Sequence, residues 1–277
     1  LFGEQNIIST AGFNPESVQT VDIDGDGDQD VFSAASTDNR IEWFENLGSG
    51  TFGPQRFLAG ALDARSVFVA DIDGDGDVDM ICGMQNGTLS YFENKGGVGN
   101  PVVWASPIAS FYGINVGGVS APQLVDLDRD LDLDLVIGNR NATLSYYENV
   151  GTATNPIFNA SPVTSTLGGY TNSLYSANFR PFVYDNNGSY ELFISQWVGG
   201  NVIQLGNIDG NILGTYDTLT ENYNDFYQGW NTSFSMADLN NDNKLDYIVG
   251  TSRGGVLLLE EKDTLTTRIK IETEQKV

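Results

Sequence analysis

Short runs of apolar residues recur along the chain, and polar or glycine-rich segments separate them. Typical runs are MIC at 80–82, LVI at 135–137 and YIV at 247–249. No stretch repeats apolar residues at the three- and four-residue spacing that marks an amphipathic helix. The pattern therefore predicts an all-β chain of short strands that are joined by tight turns.

The apolar runs follow the same order five times. Each unit has a first run, a polar loop, a second run, a hairpin turn and a third run. The loops begin at positions 22, 71, 126, 183 and 238, which are 49, 55, 57 and 55 residues apart. A fourth strand is expected to start near 52–53, 102–104 and 157–158. Four antiparallel strands in about 50 residues are typical of one blade of a β-propeller.

The repeats predict a β-propeller of four-stranded antiparallel blades over residues 1–265, followed by a tail or linker at 266–277. The Phe-Gly pair at 2–3 matches the pair at 52–53, which begins a predicted fourth strand. The N-terminal strand therefore either completes the fifth blade and closes a five-bladed ring, or belongs to a larger ring.

The second run of every unit ends in a small residue. We expect these residues to lie where strands crowd together near the propeller axis. The positions are Ala34, Gly83, Gly138, Ser195 and Gly250.

The polar loop between the first and second runs is an acidic nonapeptide of the form D-x-D-x-D-G-x-x-D. Carboxylates packed this densely repel one another, so a folded chain keeps them together only around a cation. Side chains at positions 1, 3, 5 and 9 and the carbonyl at position 7 form an all-oxygen shell that favours calcium over magnesium. The first two copies are complete and consist of Asp22, Asp24, Asp26, Asp28 and Asp30, and of Asp71, Asp73, Asp75, Asp77 and Asp79.

Two further copies depart from this form. The third copy has Leu131 where glycine is expected, and Leu must adopt there a conformation that Gly adopts more cheaply. In the last copy Asn240 brings no charge and Asn243 replaces the glycine. We expect both loops to bind calcium more weakly than the first two. Their predicted ligands are Asp126, Asp128, Asp130, Asp132 and Asp134, and Asp238, Asn240, Asp242, Lys244 and Asp246.

The fourth unit carries a degenerate loop at 183–191, with Val183 at the first ligand position. We expect this loop to hold no metal, which leaves about four calcium sites. An EF-hand is the main alternative for the other loops, but it requires a bidentate Glu at position 12 and a following helix. Position 12 is Ser33, Cys82, Ile137 or Val249, and a strand-like run surrounds each of them.

The acidity of the chain is concentrated in these loops. The formal net charge is −24, from 37 acidic and 13 basic residues. Eighteen of the acidic residues lie in the four complete or nearly complete loops. Because no basic residues cluster, nucleic acid is excluded as a partner. No apolar run reaches the length of a membrane span.

The composition offers little for catalysis. There is no histidine, and the one cysteine, Cys82, excludes an internal disulfide and is expected to be buried and inert. No acid pair outside the loops stands out, so we expect no enzymatic activity. Aromatic residues at repeated positions are expected to pack between blades: Trp43, Tyr91 and Tyr146. Tryptophans in less regular segments are better candidates for ligand contact: Trp104, Trp197 and Trp230.

The acidic loops, the Phe-Glu-Asn endings at 44–46 and 92–94, and the Phe-Gly pair at 52–53 resemble the FG-GAP/VCBS repeat family. These are β-propellers with calcium loops, similar in outline to integrin α-subunit heads. The family is commonly seven-bladed, which implies a larger ring and a longer polypeptide. The resemblance implies a calcium-stabilised extracellular binding or adhesion module whose ligand is a glycan or a protein.

The segment at 147–156 resembles repeats of secreted or surface proteins of Bacteroidetes. That resemblance implies a cell-surface location and type IX secretion. Because this kind of fold hosts several functions, two alternatives stay open. One is a polysaccharide lyase or hydrolase built on the propeller, and the other is a passive spacer in a longer surface protein.

Overall fold

The computed structural model describes residues 15–27, 30–35, 40–48, 51–58, 61, 63–171, 178–197, 201–223, 233–237, 246–250 and 256–259. Several positions that were singled out in the sequence lie outside these ranges. They are the Phe-Gly pair at 2–3, Asp28, Trp230, Asp238, Asn240, Asp242, Asn243, Lys244 and the tail at 266–277.

The described chain consists of β-strands, together with short 3-10 turns at Phe111–Gly113 and Leu167–Gly169. The first two units contain β1 Pro15–Val21, β2 Asp30–Ala35, β3 Arg40–Phe44, β4 Arg56–Leu58, β5 Ala64–Ala70, β6 Asp79–Met84, β7 Leu89–Phe92 and β8 Ile108–Ala109. The third and fourth contain β9 Ala121–Val125, β10 Asp134–Gly138, β11 Leu144–Tyr147, β12 Arg180–Asn186, β13 Ser189–Ser195, β14 Val202–Gly206 and β15 Asp217–Thr220. The fifth contains β16 Ser233–Ala237, β17 Asp246–Gly250 and β18 Val256–Leu259.

Within the described ranges the strands form five antiparallel sheets, one for each repeat. Each sheet is a meander in which consecutive strands pair: β1 to β4, β5 to β8, β9 to β11, β12 to β15 and β16 to β18. These sheets are the blades of a β-propeller, as the repeat predicted, and no described helix is long and apolar enough to cross a membrane.

The first strands of successive blades lie side by side: β5 lies between β1 and β9, and β12 between β9 and β16. Side chains join these strands. Gln123 of β9, for example, accepts from Val183 N–H at 2.7 Å and donates to its carbonyl at 3.1 Å. Glu16 of β1 contacts Arg65 of β5 at 2.7 Å and Arg180 of β12 at 3.5 Å. The first strands therefore converge, as they do around the axis of a propeller.

The small residues at the ends of the second strands allow this crowding. A Cβ on Gly83 would lie 2.1 Å from the carbonyl oxygen of Ser120, and a Cβ on Gly138 would lie 2.0 Å from that of Phe179. Both oxygens belong to residues at the start of the next blade. The expected close approach is confirmed at these two positions.

The fourth strands begin later than predicted. The predicted starting positions form only isolated bridges, which pair Phe52 with Asn46, Trp104 with Asn94 and Phe158 with Asn149. The physical reason is that the preceding link folds back onto an asparagine side chain, as described below. In the described part of the third blade a bridge between Tyr146 and Thr164 stands in place of a fourth strand.

The hydrophobic core is divided into layers, each of which lies between two neighbouring blades. One layer joins the first and second blades, one the second and third, and one the third and fourth. The central strands β6 and β10 are buried along their whole length because a blade packs on either side. This explains why their sequences are continuous apolar runs without an alternating pattern.

The repeated aromatic residues pack in these layers, as predicted: Trp43 is 5% exposed, Tyr91 6% and Tyr146 2%. Cys82 is fully buried, also as predicted. Trp104, one of the candidates for ligand contact, is half-buried, and its role in ligand contact stays a prediction. Its ring centroid lies 6.3 Å from that of Phe32 and 6.5 Å from that of Phe92, so it packs in the first layer. Trp197 is 39% exposed.

Candidate functional site

Each of the first three acidic loops closes the turn between the first and second strands of its blade. The ninth residue of the loop is the first residue of the second strand, and it pairs with the last residue of the first strand. The pairs are Val21 with Asp30, Ala70 with Asp79 and Val125 with Asp134. Strand pairing therefore fixes both ends of the loop.

Backbone N–H groups turn the loop carboxylates inward. Oδ2 of the first Asp accepts from the N–H of the sixth residue, at 2.9 Å in the first loop and 3.1 Å in the second and third. Oδ1 of the third residue accepts from the N–H of the fifth, at 3.3, 3.3 and 3.2 Å. Such local side-chain bonds are how Asp stabilises turns.

The three described loops each bring at least three carboxylates together. Within each group, one oxygen per residue lies within 4.8 Å of the others. The groups are Asp22, Asp24 and Asp26, then Asp71, Asp73 and Asp79, then Asp126, Asp128 and Asp130. The remaining described candidates of these loops are Asp30, Asp75, Asp77, Asp132 and Asp134.

Leu131 adopts the glycine-like conformation that the sequence predicted. Its φ is +78°, close to the +93° of Gly27 and the +92° of Gly76. The side chain is 85% exposed, so no packing offsets the cost of this backbone conformation.

The ninth carboxylates have a role that sequence reasoning missed. Asp79 is fully buried, and its Oδ1 accepts from Asn94 N–H at 2.8 Å. Its Oδ2 accepts from Ile72 N–H at 3.2 Å and from the Tyr91 hydroxyl at 2.9 Å. Asp134 has the same three kinds of donor in the third blade. These acids therefore join the loop to the third strand of the blade.

Burial raises the pKa of all three ninth carboxyls. Desolvation is the largest cause, and the donated hydrogen bonds oppose it only in part. The pKa of Asp30 rises to about 6, and the pKa values of Asp79 and Asp134 rise to about 7.

The asparagine of the Glu-Asn ending is the second feature that sequence reasoning missed. Oδ1 of Asn94 accepts from Gly96 N–H and Val103 N–H, both at 3.0 Å. Oδ1 of Asn149 accepts from Gly151 N–H at 3.0 Å and Ile157 N–H at 2.8 Å. The repetition of Glu-Asn in the sequence was the signal for this role.

The residues of the second loop fit a calcium ion. Oδ1 of Asp71 is buried and has no hydrogen-bond partner, and an ionised carboxylate can only accept. Burial and the neighbouring carboxylates also raise the pKa of Asp73. This group offers only oxygen ligands, and one of them is a buried acceptor without a hydrogen-bond donor. Such a group fits a hard cation.

The fourth repeat has a different arrangement. Strands β12 and β13 are joined by a two-residue hairpin turn in which Asn187 has φ +53° and Gly188 has φ +92°. Val183, at the first ligand position, lies within β12 and pairs with Leu192. Among the described residues, the carboxylate groups that could hold a metal are confined to the first three loops.

Two clefts lie beside the acidic loops, at equivalent places between blades. The first has a volume of about 360 Å³ and the second about 500 Å³. Three residues that line the first cleft have equivalents in the second: Asp73 corresponds to Asp128, Tyr91 to Tyr146 and Glu93 to Glu148.

The far wall of each cleft comes from the next blade. In the first cleft it is formed by 154–156, and in the second by 210–214. Tyr112 lines the first cleft only, with φ +49° and a ring that is 40% exposed. Its hydroxyl donates to the carbonyl of Pro156 across the blade boundary.

Comparison with known proteins gives one family match. The profile described as FG-GAP-like repeat matches residues 22–82 and 71–137, which contain the first three acidic loops. No curated protein matches the chain.

Solved structures with a similar fold include an Agrocybe aegerita lectin, whose title describes specific recognition of non-reducing terminal N-acetylglucosamine. It is 23% identical, with a TM-score of 0.47, over 74% of this chain and 52% of the lectin. The present chain thus spans about half the length of that lectin. BBS1N in complex with ARL6DN is 11% identical in both of its matching structures. The lead-soaked crystal has a TM-score of 0.46 over 90% of this chain and 81% of that one. The mercury-soaked crystal has a TM-score of 0.42 over 89% and 68%.

Proposed function

We propose that this chain, which contains FG-GAP-like repeats over residues 22–82 and 71–137, is a calcium-stabilised extracellular binding module. One observation carries the calcium part of this proposal. Oδ1 of Asp71 is buried and accepts no hydrogen bond, and Asp71 belongs to a group of three carboxylates. A bound calcium ion would supply the missing positive charge, and calcium at extracellular concentrations fills even weak sites of this type.

The residues that would hold the metal are the loop acids. In the second loop these are Asp71, Asp73 and Asp79, and the equivalent groups of the first and third loops would act in the same way. Calcium would neutralise their mutual repulsion. The backbone N–H bonds to the first and third residues orient the carboxylates before the ion arrives.

The first inter-blade cleft is the proposed ligand site. Ile108 is 51% exposed and Tyr112 40% exposed, and both line this cleft together with the acidic residues Asp73 and Glu93. A saccharide has apolar C–H faces as well as hydroxyl groups, so it fits a cleft that is lined by both apolar and acidic side chains. A protein loop with apolar and hydroxyl-bearing side chains is the other ligand of this chemistry.

A glycan array with calcium and with EDTA tests the proposal. We expect binding in calcium, with a loss of about fivefold or more for Tyr112→Ala, because stacking on an aromatic ring contributes on the order of 1 kcal/mol or more. Tyr112→Phe retains the ring and should retain most of the binding. Val150→Ala, which alters a residue that is 53% exposed and does not line the cleft, is the control.

Other outcomes would contradict the proposal. Release of shortened products from a polysaccharide would indicate the lyase or hydrolase alternative. Absence of binding to glycans and to surface proteins in saturating calcium would favour the spacer. The surface location and type IX secretion stay predictions, which fractionation of the producing cell tests.

A further inference from the structure

The fourth residue of each acidic loop lies against the next blade. In the first two loops this residue is Gly25 or Gly74, with φ of +74° and +70°. A Cβ on Gly25 would lie 3.1 Å from Cα of Gly99, and one on Gly74 would lie 2.7 Å from the carbonyl oxygen of Ala153. Glycine at this position therefore lets a loop approach the third-to-fourth link of the following blade.

Arg129 is the equivalent residue of the third loop. It has φ +65°, the same left-handed region as the two glycines, although it carries a long side chain. An arginine in this conformation is strained relative to glycine, so contacts elsewhere must offset the strain.

The Arg129 guanidinium reaches into the fourth blade. Its Nε and Nη2 donate to Asp209 Oδ1 at 3.0 and 2.7 Å, and its Nη1 donates to Asp185 Oδ2 at 3.3 Å. Nη2 also donates to the carbonyl of Gly188 at 3.1 Å. The guanidinium carbon lies 4.0 Å from the centroid of the Tyr190 ring. One cation thus contacts both the β12–β13 hairpin and the link after β14.

The fourth blade contacts the third loop in return. The Tyr190 hydroxyl donates to the carbonyl of Asp126, the first residue of that loop, at 2.6 Å. Tyr190 N–H and the Ser189 hydroxyl donate to Asp209 Oδ2 at 2.8 and 3.3 Å. The third loop and the fourth-blade hairpin are therefore joined by two sets of contacts, one from Arg129 and one from Tyr190.

A single surface ion pair would carry little weight. The side chains of Arg129, Asp185 and Asp209 are 39%, 45% and 34% exposed, and isolated pairs of this exposure contribute about 0–1 kcal/mol. Here two carboxylates, a backbone carbonyl and an aromatic face converge on one guanidinium. The pKa of Asp209 is lowered: burial alone would raise it, but the hydrogen bonds from Arg129 and Tyr190 outweigh that effect.

We propose that Arg129 is the built-in cation of the fourth repeat, which neutralises Asp185 and Asp209 and fastens the third blade to the fourth. The first three blades have acidic loops that fit an external metal, whereas the fourth blade receives the cationic side chain of Arg129 from the third. The statement that calcium occupies the acidic loops rests on the proposed function, whereas the Arg129 contacts do not depend on it. The contacts that the Arg129 guanidinium makes at this junction consequently require no calcium ion.

Hydrogen–deuterium exchange of Arg129→Gln in calcium and in EDTA tests the proposal. We expect amide exchange in 185–190 and 207–214 to increase about tenfold or more, by the same factor in both buffers, since the lost contacts involve no metal. Arg56→Gln is the matched control. The Arg56 guanidinium lies 4.6 Å from the Trp43 ring centroid and pairs with Glu45, but all three residues belong to one blade. It should leave 185–190 and 207–214 unchanged.

The proposal would be overturned if Arg129→Gln and Arg56→Gln showed the same exchange in these segments. It would also be overturned if Arg129→Gln increased the exchange only in EDTA. If Arg129→Gln does not fold, Asp209→Asn removes one acceptor charge and should loosen the same segments; unchanged exchange in that variant also overturns the proposal. Calorimetric titration of the unaltered chain with calcium decides the proposed function separately. A chain that binds no calcium but has Arg129-dependent protection refutes only the proposed function.

Discussion

At the scale of a single residue, burial and hydrogen bonding have opposite effects on the pKa of Asp79. Its carboxylate is buried, and it accepts hydrogen bonds from two backbone N–H groups and a tyrosine hydroxyl. Donors favour the ionised form, but desolvation and the charge of Asp73 favour the protonated form and prevail. Without a cation, the neighbouring carboxylates make ionised Asp79 costly. A calcium ion in the loop would reverse that balance.

The resulting pH dependence can be measured on the calcium-free chain. The pKa of Asp79 is about 7 in the folded state against an ordinary value of 3.8, and Asp134 behaves alike. The folded state then binds more protons than the unfolded state between these values, so stability is lost as the pH rises through about 7. We expect the Tm in EDTA to rise when the pH falls from about 8 to about 6.

Two variants serve as controls for this dependence. Asp79→Asn and Asp134→Asn cannot titrate, so combining them should flatten the dependence of Tm on pH between about 6 and 8. Saturating calcium should weaken or reverse the trend because it favours the ionised carboxylates. A Tm in EDTA that does not change over this pH range would contradict the assignment.

At the scale of the strand, the position of β10 depends on the absence of a side chain. Gly138 ends this strand directly against the carbonyl of Phe179, at the entrance to the fourth blade. The same relation holds between Gly83 of β6 and Ser120. Because close-packed interiors relax little, an added methyl group must push the two blades apart.

We expect Gly138→Ala to destabilise the chain by about 1–3 kcal/mol or more, since its Cβ would overlap the backbone of the next blade. Gly53→Ala is the control, because the nearest atom to its Cβ would be at 3.5 Å, an ordinary contact distance. Urea unfolding of both variants in saturating calcium measures the difference. Equal midpoints for the two variants would show that the blades do not depend on this contact.

At the scale of the whole molecule, neighbouring blades are joined by three kinds of contact. Apolar layers fill the space between them, first strands converge on one side, and each of the first three acidic loops touches the following blade. Because the loops take part in these contacts, an ion that orders a loop also stabilises the boundary between two blades. Calcium should consequently affect the stability of the blades together as well as that of single turns.

Removal of calcium should therefore lower the Tm steeply. Each occupied site adds about 2.7 kcal/mol at a hundredfold excess of calcium over its Kd, and the whole stability of a domain is about 5–15 kcal/mol. Asp24→Ala or Asp73→Ala should lower the Tm even in calcium. Magnesium added after EDTA should restore little, since this site has more carboxylates than magnesium prefers. If EDTA abolished ligand binding without moving the melting curve, calcium would belong to the ligand site instead.

The sequence by itself determined the features that repeat at fixed spacing. These are the all-β blades, the acidic loops, the burial of Trp43, Tyr91 and Tyr146, and the glycine-like backbone of Leu131. They could be predicted because each recurs at the same place in several units or follows from the local backbone of one loop. A strand, a turn and a carboxylate cluster are short-range objects, and the comparison of units reveals which positions matter.

Only the tertiary structure decided the features that depend on a neighbouring blade or on a distant part of the same one. Trp104 packs against the core because it meets Phe32 of the preceding blade. The contacts of Arg129 join residues 56 to 80 positions apart, and the clefts exist only where two blades face each other. The contacts of Trp104 and Arg129 leave no periodic mark along the chain, because each is made once by side chains that packing brings together.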